Sequence, residues 1–584
     1  RENSSGDGAA VCFPAGKLLH ARCLAEVNAI HSTLMRAPAG SLPREGRIFP
    51  TSAPMSPETI YDYIIVGAGS AGCVLANRLT ASGRHKVLLL EAGPRDRDPW
   101  IHVPLGYGKL FTKSSVNWRY NSEPEAQLNG RQVYSPRGKV LGGSSSINGL
   151  VYIRGQREDF DDWGIPGWGF DDLLPYFKRS EDQSRGADAW HGVGGPQAVS
   201  DLPDRHELCD AFIAAAGEVG IARNDDFNGA AQEGAGYYQA TTRNGRRSST
   251  ATGYLRPAER RSNLTVITGA LATRLLFEGT RGVGVEYRCR GALRQARAGR
   301  EVLLAAGAFN SPQLLQLSGV AARDLLEAHG LPLVAELPAV GEGLQDHFYV
   351  RTVWRCTRPI TFNDDMASWR RTLGIGLKYL LARRGPLTGS AGYAGAFART
   401  RPEIARPDVQ FYFINFSASK AGERLHPYSA FTCSMCPLQP QARGSVRIRS
   451  ADPFEAPAIR YNFLSTEDDR NTAVAGLRLL RRLVRSPALQ PYVAAEELPG
   501  ERVQSDADWL GFCREAGGSV YHPVATCRMG TDAGAVTDPR LRVRGLSGVR
   551  VVDASVMPAV VSGNINAAVI ALAEKGADLV LEDA

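Results

Sequence analysis

The sequence lacks the features that mark chains that span a membrane or bind nucleic acid. No run of about eighteen apolar residues occurs in its 584 positions, so no transmembrane segment is predicted. The net charge of +8 is spread along the chain without a block of five or six like charges, which argues against a nucleic-acid partner. No internal repeat is evident. The composition, 43% hydrophobic and 22% charged, is typical of a globular protein of two domains or one large composite domain.

Cysteine pairs are also scarce. The ten cysteines are scattered, and only Cys433 and Cys436 form a C-x-x-C. No second pair and no neighbouring histidine accompanies them, so no metal site is predicted. The alternating residues around the pair predict a strand in which both are small buried side chains. The scattered cysteines are typical of reduced thiols in an intracellular compartment and not of a disulfide framework. Residues 1–58, rich in Ala, Gly, Ser and Pro, are interpreted as an N-terminal extension, the remainder of a targeting region for an organelle such as the chloroplast.

What the chain does have is a βαβ unit between Tyr61 and Gly93. The apolar run Tyr63–Val66 predicts a buried strand, a stretch with helical spacing follows, and Lys86–Leu90 predicts a second strand that Glu91 closes. The turn after the first strand has the spacing G-x-G-x-x-G at Gly67, Gly69 and Gly72. These glycines permit a tight turn, the approach of a pyrophosphate and close helix packing, and the acidic residue can bind a ribose. The unit predicts a dinucleotide site and leaves NAD and FAD open.

The middle of the chain has a different character. Alternating runs between residues 350 and 500, such as Val409–Phe413, predict an antiparallel sheet, and helices are predicted at Trp369–Arg383 and Asp468–Arg485. The last segment, with a helix predicted at Ala567–Leu581, again has the strand-and-helix pattern of the βαβ unit. The pattern therefore predicts an α/β nucleotide-binding part and a separate sheet-and-helix part.

Three separated motifs carry a family resemblance. They are the βαβ unit with Glu91, the small-residue stretch GKVLGGSSSINGLVYIRGQREDFDDWG, and YHPVATCRMG followed by VVDASVMPAVVSGNINAAVIALAEKGADLV. Together they resemble the glucose–methanol–choline (GMC) oxidoreductases, which are FAD enzymes, and most closely the choline-dehydrogenase and alcohol-oxidase branch. The resemblance runs from about residue 60 to the C-terminus. Ala321 stands where the family usually has glycine, and Gly343 where it often has asparagine.

This resemblance implies a Rossmann-like FAD-binding domain of discontinuous segments and an α+β substrate-binding domain with an antiparallel sheet. The first would contain residues 59–200, 258–345 and 515–584, and the second residues 201–257 and 346–514. The implied FAD contacts are Gly67, Gly69 and Gly72 at the pyrophosphate, Glu91 at the adenosine ribose, Ala272 at the adenine, Gly143, Ser144 and Asn148 beside the flavin, and Asp553 and Ala554 near the phosphates or flavin. Some members attach FAD through a histidine at the position of Ile147, so non-covalent FAD is expected here.

The implied catalytic pair is His522 and Asn566. A lone histidine is more often a hydrogen-bonded residue of the core than a catalytic one. The position of His522 in HPVATCRMG instead favours a catalytic role. Histidine titrates near neutral pH and can take the hydroxyl proton of an alcohol. Asn566 could bond the developing alkoxide, or could cap the helix that follows it. Tyr521 is expected to contact substrate.

The leading functional hypothesis is oxidation of a primary alcohol, aliphatic of medium or long chain or aromatic, to the aldehyde. The hydride would go to flavin N5 and O2 would reoxidise the flavin, with another electron acceptor and a homo-oligomer left open. Choline dehydrogenation is an alternative that would need an aromatic cage and a carboxylate. Fatty acid photodecarboxylation is disfavoured, because Gly392 and Tyr412 occupy the cysteine and arginine positions of that branch. A catalytically silent or lyase-like FAD protein is disfavoured by His522.

Overall fold

The first large sheet lies in the nucleotide-binding part of the chain. The computed structural model describes residues 60–420 and 422–584, so the predicted extension at 1–58 lies outside the described residues. In spatial order the strands are Leu264–Thr268, Val87–Glu91, Ile60–Val66, Ala292–Leu304, Arg281–Cys289 and Ala270–Glu278, with Val549–Val551 also paired to Ala292–Leu304. The first four strands of this order pair in parallel, and Val549–Val551 is also parallel to Ala292–Leu304. Arg281–Cys289 pairs antiparallel with both of its neighbours, Ala292–Leu304 and Ala270–Glu278.

The second large sheet is antiparallel throughout. Its strands, in spatial order, are Val493–Leu498, Phe348–Cys356, Ala430–Pro437, Val409–Ile414, Ala394–Ala398 and Gly234–Tyr237, and Gly518–Ser519 pairs with Phe348–Cys356. Cys433 and Cys436 lie in Ala430–Pro437 as buried free thiols, as the sequence predicts. The aromatic and β-branched residues of these strands form a core of their own, separate from the core under the parallel sheet.

Short strands and helices complete the described chain. A three-stranded sheet contains Glu342–Leu344, Gly444–Arg447 and Ala458–Arg460. Two-residue or three-residue strands pair as Tyr120–Asn121 with Tyr134–Ser135, Glu181–Gln183 with Gln197–Val199, Thr242–Arg243 with Arg246–Arg247, and Val320–Ala321 with Ala335–Glu336. The α-helices are Ser70–Thr80, Pro99–His102, Tyr107–Leu110, Arg157–Asp161, Phe170–Ser180, Glu207–Glu218, Arg256–Ala258, Gly307–Leu317, Arg323–Ala328, Phe362–Ala367, Trp369–Ala382, Glu467–Val484, Asp506–Ala516 and Asn566–Glu582.

The two ends of the described chain meet beside the parallel sheet. The helix Ser70–Thr80 is joined to the last helix, Asn566–Glu582, by Arg78, which donates to both carboxylate oxygens of the buried Glu574 at 2.7 Å. Tyr254 donates to the same carboxylate at 2.7 Å. A buried carboxylate is stable when it is paired and hydrogen-bonded in this way. The C-terminal segment is thereby fixed against the helix that follows the glycine-rich turn.

The predicted α/β class is confirmed, and the predicted helices are present within one or two residues of their expected bounds. The strands of the parallel sheet all fall in segments assigned to the FAD-binding domain. Those of the antiparallel sheet fall in the substrate-binding segments, except Gly518–Ser519. The described residues belong to one compact unit, so the division into two domains stays a prediction. Across residues 60–420 and 422–584, every helix is too short or too polar to cross a bilayer.

Candidate active site

A cavity of about 1310 Å³ opens at the carboxyl ends of the parallel strands. Four strands, Ile60–Val66, Val87–Glu91, Ala292–Leu304 and Val549–Val551, end on it or just before residues that line it. This edge is where open α/β sheets bind ligands. Every site residue expected from the sequence lines the cavity except Gly72.

Gly72 lies behind the glycine-rich turn and sets its packing. A Cβ on this residue would stand 1.9 Å from the carbonyl oxygen of Gly67, so only glycine allows the helix Ser70–Thr80 to begin this close to the strand before it. The first turn of that helix has no acidic residue and its N-cap has no side-chain hydrogen bond. Its free N–H groups beside the cavity favour a negatively charged group such as a pyrophosphate.

Glu91 is buried at the end of its strand and holds the turn from the other side. Its two carboxylate oxygens accept from the backbone N–H of Ala68 at 2.9 Å and of Gly93 at 2.8 Å. Burial raises the pKa of Glu91 to about 7, and the two N–H donors oppose the rise. The carboxylate retains lone pairs that face the cavity, so it can accept from the hydroxyls of a ribose.

The small-residue loop packs directly onto the glycine-rich turn. A Cβ on Gly143 would lie 2.6 Å from the Cα of Gly69, so the backbones of the two loops are in contact. Ser144 accepts from the N–H of Gly138 at 3.2 Å, and Asn148 accepts from the buried Arg247 at 2.6 Å. These contacts fix the loop, which lines the cavity with Gly143, Ser144, Ile147 and Asn148.

The remaining expected cofactor residues differ in what they offer the cavity. Asp553 accepts from the N–H of Gly307 at 2.8 Å and from Ser311 at 2.6 Å, and its other oxygen accepts twice from Ser555. It therefore orients the first turn of the helix Gly307–Leu317. Ala272 and Ala554 contribute backbone and methyl surface.

His522 meets a different asparagine from the one that the resemblance implied. Asn564 Nδ2 lies 3.2 Å from His522 Nε2, whereas Asn566 accepts from the hydroxyl of Ser70 at 2.7 Å, in the glycine-rich turn. The structure therefore pairs His522 with Asn564, and the catalytic role expected of Asn566, which also lines the cavity, stays a prediction. Its expected role as a helix cap is wrong, because the N-cap is Ile565 and Asn566 is the first helical residue. The helix starts between the two asparagines and turns them to opposite partners.

A second buried histidine determines which nitrogen of His522 carries a proton. His347 Nε2 lies 3.1 Å from the carbonyl oxygen of Leu438, which can only accept, so this nitrogen carries hydrogen. Burial lowers the pKa of His347 to about 4, so the ring is neutral at pH 7 and its Nδ1 is a bare acceptor. This Nδ1 lies 3.0 Å from His522 Nδ1, which must therefore donate. His522 Nε2 is left with its lone pair, and Asn564 donates to it.

Charges around His522 keep its ring neutral. Burial, His347 and the cation of Arg137 lower the pKa of His522 well below its usual value. Arg137 donates to the carbonyl of Tyr521 at 2.8 Å. The carboxylate of Asp346 accepts from the backbone N–H of His522 at 2.7 Å and does not bond the ring, and burial raises the pKa of Asp346 to about 7. The ring is thus a neutral proton acceptor at pH 7.

The wall beyond His522 is aromatic and includes the cation of Arg351. Tyr521, in the left-handed backbone region at φ 74°, stacks at a tilt on Phe111 with ring centroids 5.6 Å apart, and Tyr107 packs edge-on against Phe111 at 5.7 Å. The Arg351 guanidinium donates to the carbonyl of Ala418 at 3.0 Å and lowers the pKa of the Tyr521 hydroxyl against the rise that burial causes. The predicted substrate residue therefore lies in an aromatic pocket beside a positive charge.

Comparison with known proteins decides the family. The family models described as GMC oxidoreductase match residues 61–349 and 440–573. The chain belongs to the GMC oxidoreductases. It is 43% identical over 529 residues to an alcohol dehydrogenase [acceptor] of Pseudomonas putida, covering 89% of this chain and 96% of the relative. It is 42% identical over 532 residues to human mitochondrial choline dehydrogenase, covering 89% of each. The crystal structure of a pyridoxine 4-oxidase from Mesorbium loti superposes with a TM-score of 0.81 at 32% identity, covering 89% of this chain and 98% of that one.

GMC oxidoreductases depend on FAD, and the cavity fits that cofactor. One side offers free helix N–H groups for a pyrophosphate and Glu91 for a ribose. The other offers the flat backbone surface of the Gly143 loop, and His522 and Asn564 line the same space. The predicted identity as an FAD-dependent oxidoreductase of the alcohol and choline branch is confirmed by the family and its named relatives.

Sequence reasoning missed three residues of this GMC site. Asn564 is one of two asparagines in GNIN, and the sequence contains no signal for where the helix begins within that motif. His347 follows a turn-rich loop 175 positions before His522, and no local pattern links the two rings. No motif in the sequence singles out Arg137. All three act through contacts between residues far apart in the chain.

Proposed function

We propose that this GMC oxidoreductase oxidises a primary alcohol to the aldehyde, with His522 Nε2 as the base. The observation that carries the proposal is the chain of hydrogen bonds from Leu438 through His347 to His522, which leaves Nε2 unprotonated beside the Asn564 amide. An alcohol hydroxyl that displaces the Asn564 amide from Nε2 would donate its proton to that nitrogen and accept from an N–H of the displaced amide. The amide would then stabilise the negative charge that develops on the oxygen.

The cofactor completes the reaction. The glycine-rich turn and Glu91 would hold FAD, whose flavin N5 would supply an acceptor for the hydride of the carbinol carbon. The chain supplies the position of the carbon by holding the oxygen between His522 and Asn564. Ile147 lines the cavity where some relatives attach the flavin through histidine, which supports non-covalent FAD. We propose O2 as the acceptor that reoxidises the flavin.

The wall of the cavity supports an aliphatic alcohol of medium or long chain, or an aromatic alcohol. Tyr107, Phe111 and Tyr521 offer a continuous apolar and aromatic surface next to the reacting pair. Choline is the second candidate, supported by the 42% identity to human choline dehydrogenase and by the same aromatic rings. Arg351 opposes it, because a cation in the pocket repels a quaternary ammonium group.

A light-driven decarboxylation is not supported. The position that a cysteine would occupy is Gly392, where even a Cβ would stand 3.0 Å from the Tyr238 ring. Tyr412, at the arginine position, lies 3.3 Å from Asn564 Oδ1 and 2.8 Å from Gln410 Oε1. It therefore orients the amide beside His522. Illumination with a fatty acid should yield no alkane.

The test is anaerobic reduction of the flavin by a panel of 1-octanol, benzyl alcohol and choline. We expect bleaching by the first two, weak bleaching by choline, and reoxidation on admission of air. Replacing His522 with Ala should lower the reduction rate by about a thousandfold, the middle of the range for loss of a general base. His329→Ala, a change at a half-buried histidine that does not line the cavity, is the matched control. An unaffected rate in His522→Ala with FAD retained would refute the base, and a preference for choline would refute the substrate class.

A further inference from the structure

The helix Trp369–Ala382, called the Trp369 helix below, is almost uncovered by the rest of the described chain. It has fourteen residues and buries only one of them, Tyr379. Two further residues, Gly374 and Gly376, are poor helix formers. A surface helix normally owes most of its stability to an apolar face packed on the protein. The Trp369 helix obtains little of that stabilisation within the described residues, so its apolar face is available to a partner.

That face is large and regular. Six of the twelve exposed large apolar side chains in the described residues fall within positions 366 to 381. They are Met366 (43% exposed), Trp369 (72%), Leu373 (55%), Leu377 (48%), Leu380 (65%) and Leu381 (85%). From Trp369 onward the spacing is four, four, then three or four, which places them along one side of the helix. A contiguous exposed apolar patch marks an interaction site, whereas scattered single residues do not.

The same segment is strongly basic. Arg370, Arg371, Lys378, Arg383 and Arg384 are its charged residues. No acidic residue occurs between Asp365 and Glu403. The carboxylates that face the helix from elsewhere are those of Asp365, 3.7 Å from Arg371, and Asp204, 3.6 Å from Lys378. The other three guanidinium groups have no ion-pair partner among residues 60–420 and 422–584, so the helix presents net positive charge around its apolar row.

The Trp369 helix also borders the mouth of the cavity. Phe362 and Met366, in the helix just before it, line the cavity, and so does Leu387, just after it. The exposed apolar row is therefore continuous with the wall that leads to the substrate pocket. A lipid surface against this row would bring an apolar ligand to the cavity without passage through bulk water.

We propose that the Trp369 helix docks the enzyme on the surface of a membrane that contains anionic lipids. An apolar face with Trp and Leu, flanked by Arg and Lys, has the composition of a helix that lies in the plane of the interface. The leucines enter the boundary between headgroups and acyl chains, and the cations contact the anionic headgroups. The positive charge around the apolar row favours an anionic membrane over a second copy of the chain as the partner. Two copies of this helix would repel each other across a symmetric interface.

The experiment is co-sedimentation of the FAD-loaded full chain with sucrose-filled vesicles, in the absence of any alcohol. Vesicles of phosphatidylcholine with about 30% phosphatidylglycerol supply the negative surface, and pure phosphatidylcholine vesicles are the comparison. We expect binding to the anionic vesicles, at least tenfold weaker binding to the neutral ones, and loss of binding as salt screens the surface charge. The fluorescence of Trp369 should shift to shorter wavelength on binding, and Trp369→Phe should remove that change.

The control variants separate the apolar row from its charges. Leu377→Gln with Leu381→Gln should reduce binding at least tenfold. Leu293→Gln, at a similarly exposed leucine (61%) in the parallel-sheet part, should leave it unchanged. None of these leucines lines the cavity, so flavin reduction by a water-soluble alcohol should stay the same in all variants. Equal binding to neutral and anionic vesicles, or no binding, would overturn the proposal. So would a concentration-dependent dimer, in vesicle-free buffer, that the double leucine variant abolishes.

Discussion

The two sides of the cavity are built by different means. On the Glu91 side, the cavity is shaped by backbone: glycines that admit no Cβ, a helix N-terminus, and one carboxylate held by two N–H groups. On the His522 side, it depends on three side chains from distant segments, those of His347, His522 and Asn564, and the backbone carbonyl of Leu438 anchors the first of them. The first side depends on what a residue type permits, and the second on what each side chain contacts.

This difference explains where the expectations held and where they did not. Gly67, Gly69, Glu91 and Gly143 all line the cavity, because a local spacing is sufficient to define a turn. The asparagine beside His522 was assigned two residues too late. The choice between Asn564 and Asn566 depends on where a helix begins and on which partners its side chains meet.

Gly72→Ala should cause the largest effect, on the backbone side. Its Cβ would lie 1.9 Å from the Gly67 carbonyl, and neither backbone can move without displacing the turn. We expect the purified protein to lack FAD, measured as the ratio of flavin to protein absorbance. Gly511→Ala, a helical glycine with open space around it, is the matched control and should retain full FAD. Normal FAD content in Gly72→Ala would contradict the role of backbone contact there.

Asn564→Ala should lower the rate of flavin reduction by alcohol about a hundredfold, the loss typical of removing one donor to a developing oxyanion. Asn566→Ala should change this rate only a few-fold, because Asn566 bonds Ser70 and not His522. Stopped-flow reduction of both variants, each with its FAD content checked, measures the contrast. A larger loss of rate in Asn566→Ala than in Asn564→Ala would instead support Asn566 as the catalytic asparagine, as expected from the sequence.

His347→Leu should slow flavin reduction about tenfold, which corresponds to about 1.4 kcal/mol for one lost hydrogen bond. Without the acceptor at Nδ1, His522 can place its proton on Nε2, the wrong nitrogen for a base. His347 is a positioning residue, so His347→Asn, whose Oδ1 can accept from His522, should recover part of the rate. Equal rates in the Leu and Asn variants would show that the effect is only one of packing.

Arg137→Gln should produce the smallest effect at neutral pH and a clear shift in the pH profile. The cation lowers the pKa of His522, so its removal makes protonation easier and raises that pKa. The acid limb of kcat/KM should therefore move to higher pH, while the rate on the plateau changes little. Arg137→Lys keeps the charge and should keep the limb in place. A limb that stays in place in Arg137→Gln would show that the cation does not act on His522.

The sequence by itself determined the α/β class and the GMC family, and it singled out the glycine-rich turn and His522, which line the cavity. These depend on local spacing, on glycines that no other residue can replace, and on three motifs, each of which is a continuous segment of the sequence. Only the tertiary structure decided the partner of His522, the tautomer that His347 imposes, and the cation beside the substrate pocket. It also showed that a helix expected from its apolar spacing, Trp369–Ala382, buries almost none of that face. The physical reason is common to all: hydrogen-bond direction and burial depend on which distant segments meet, and spacing along the chain does not specify that.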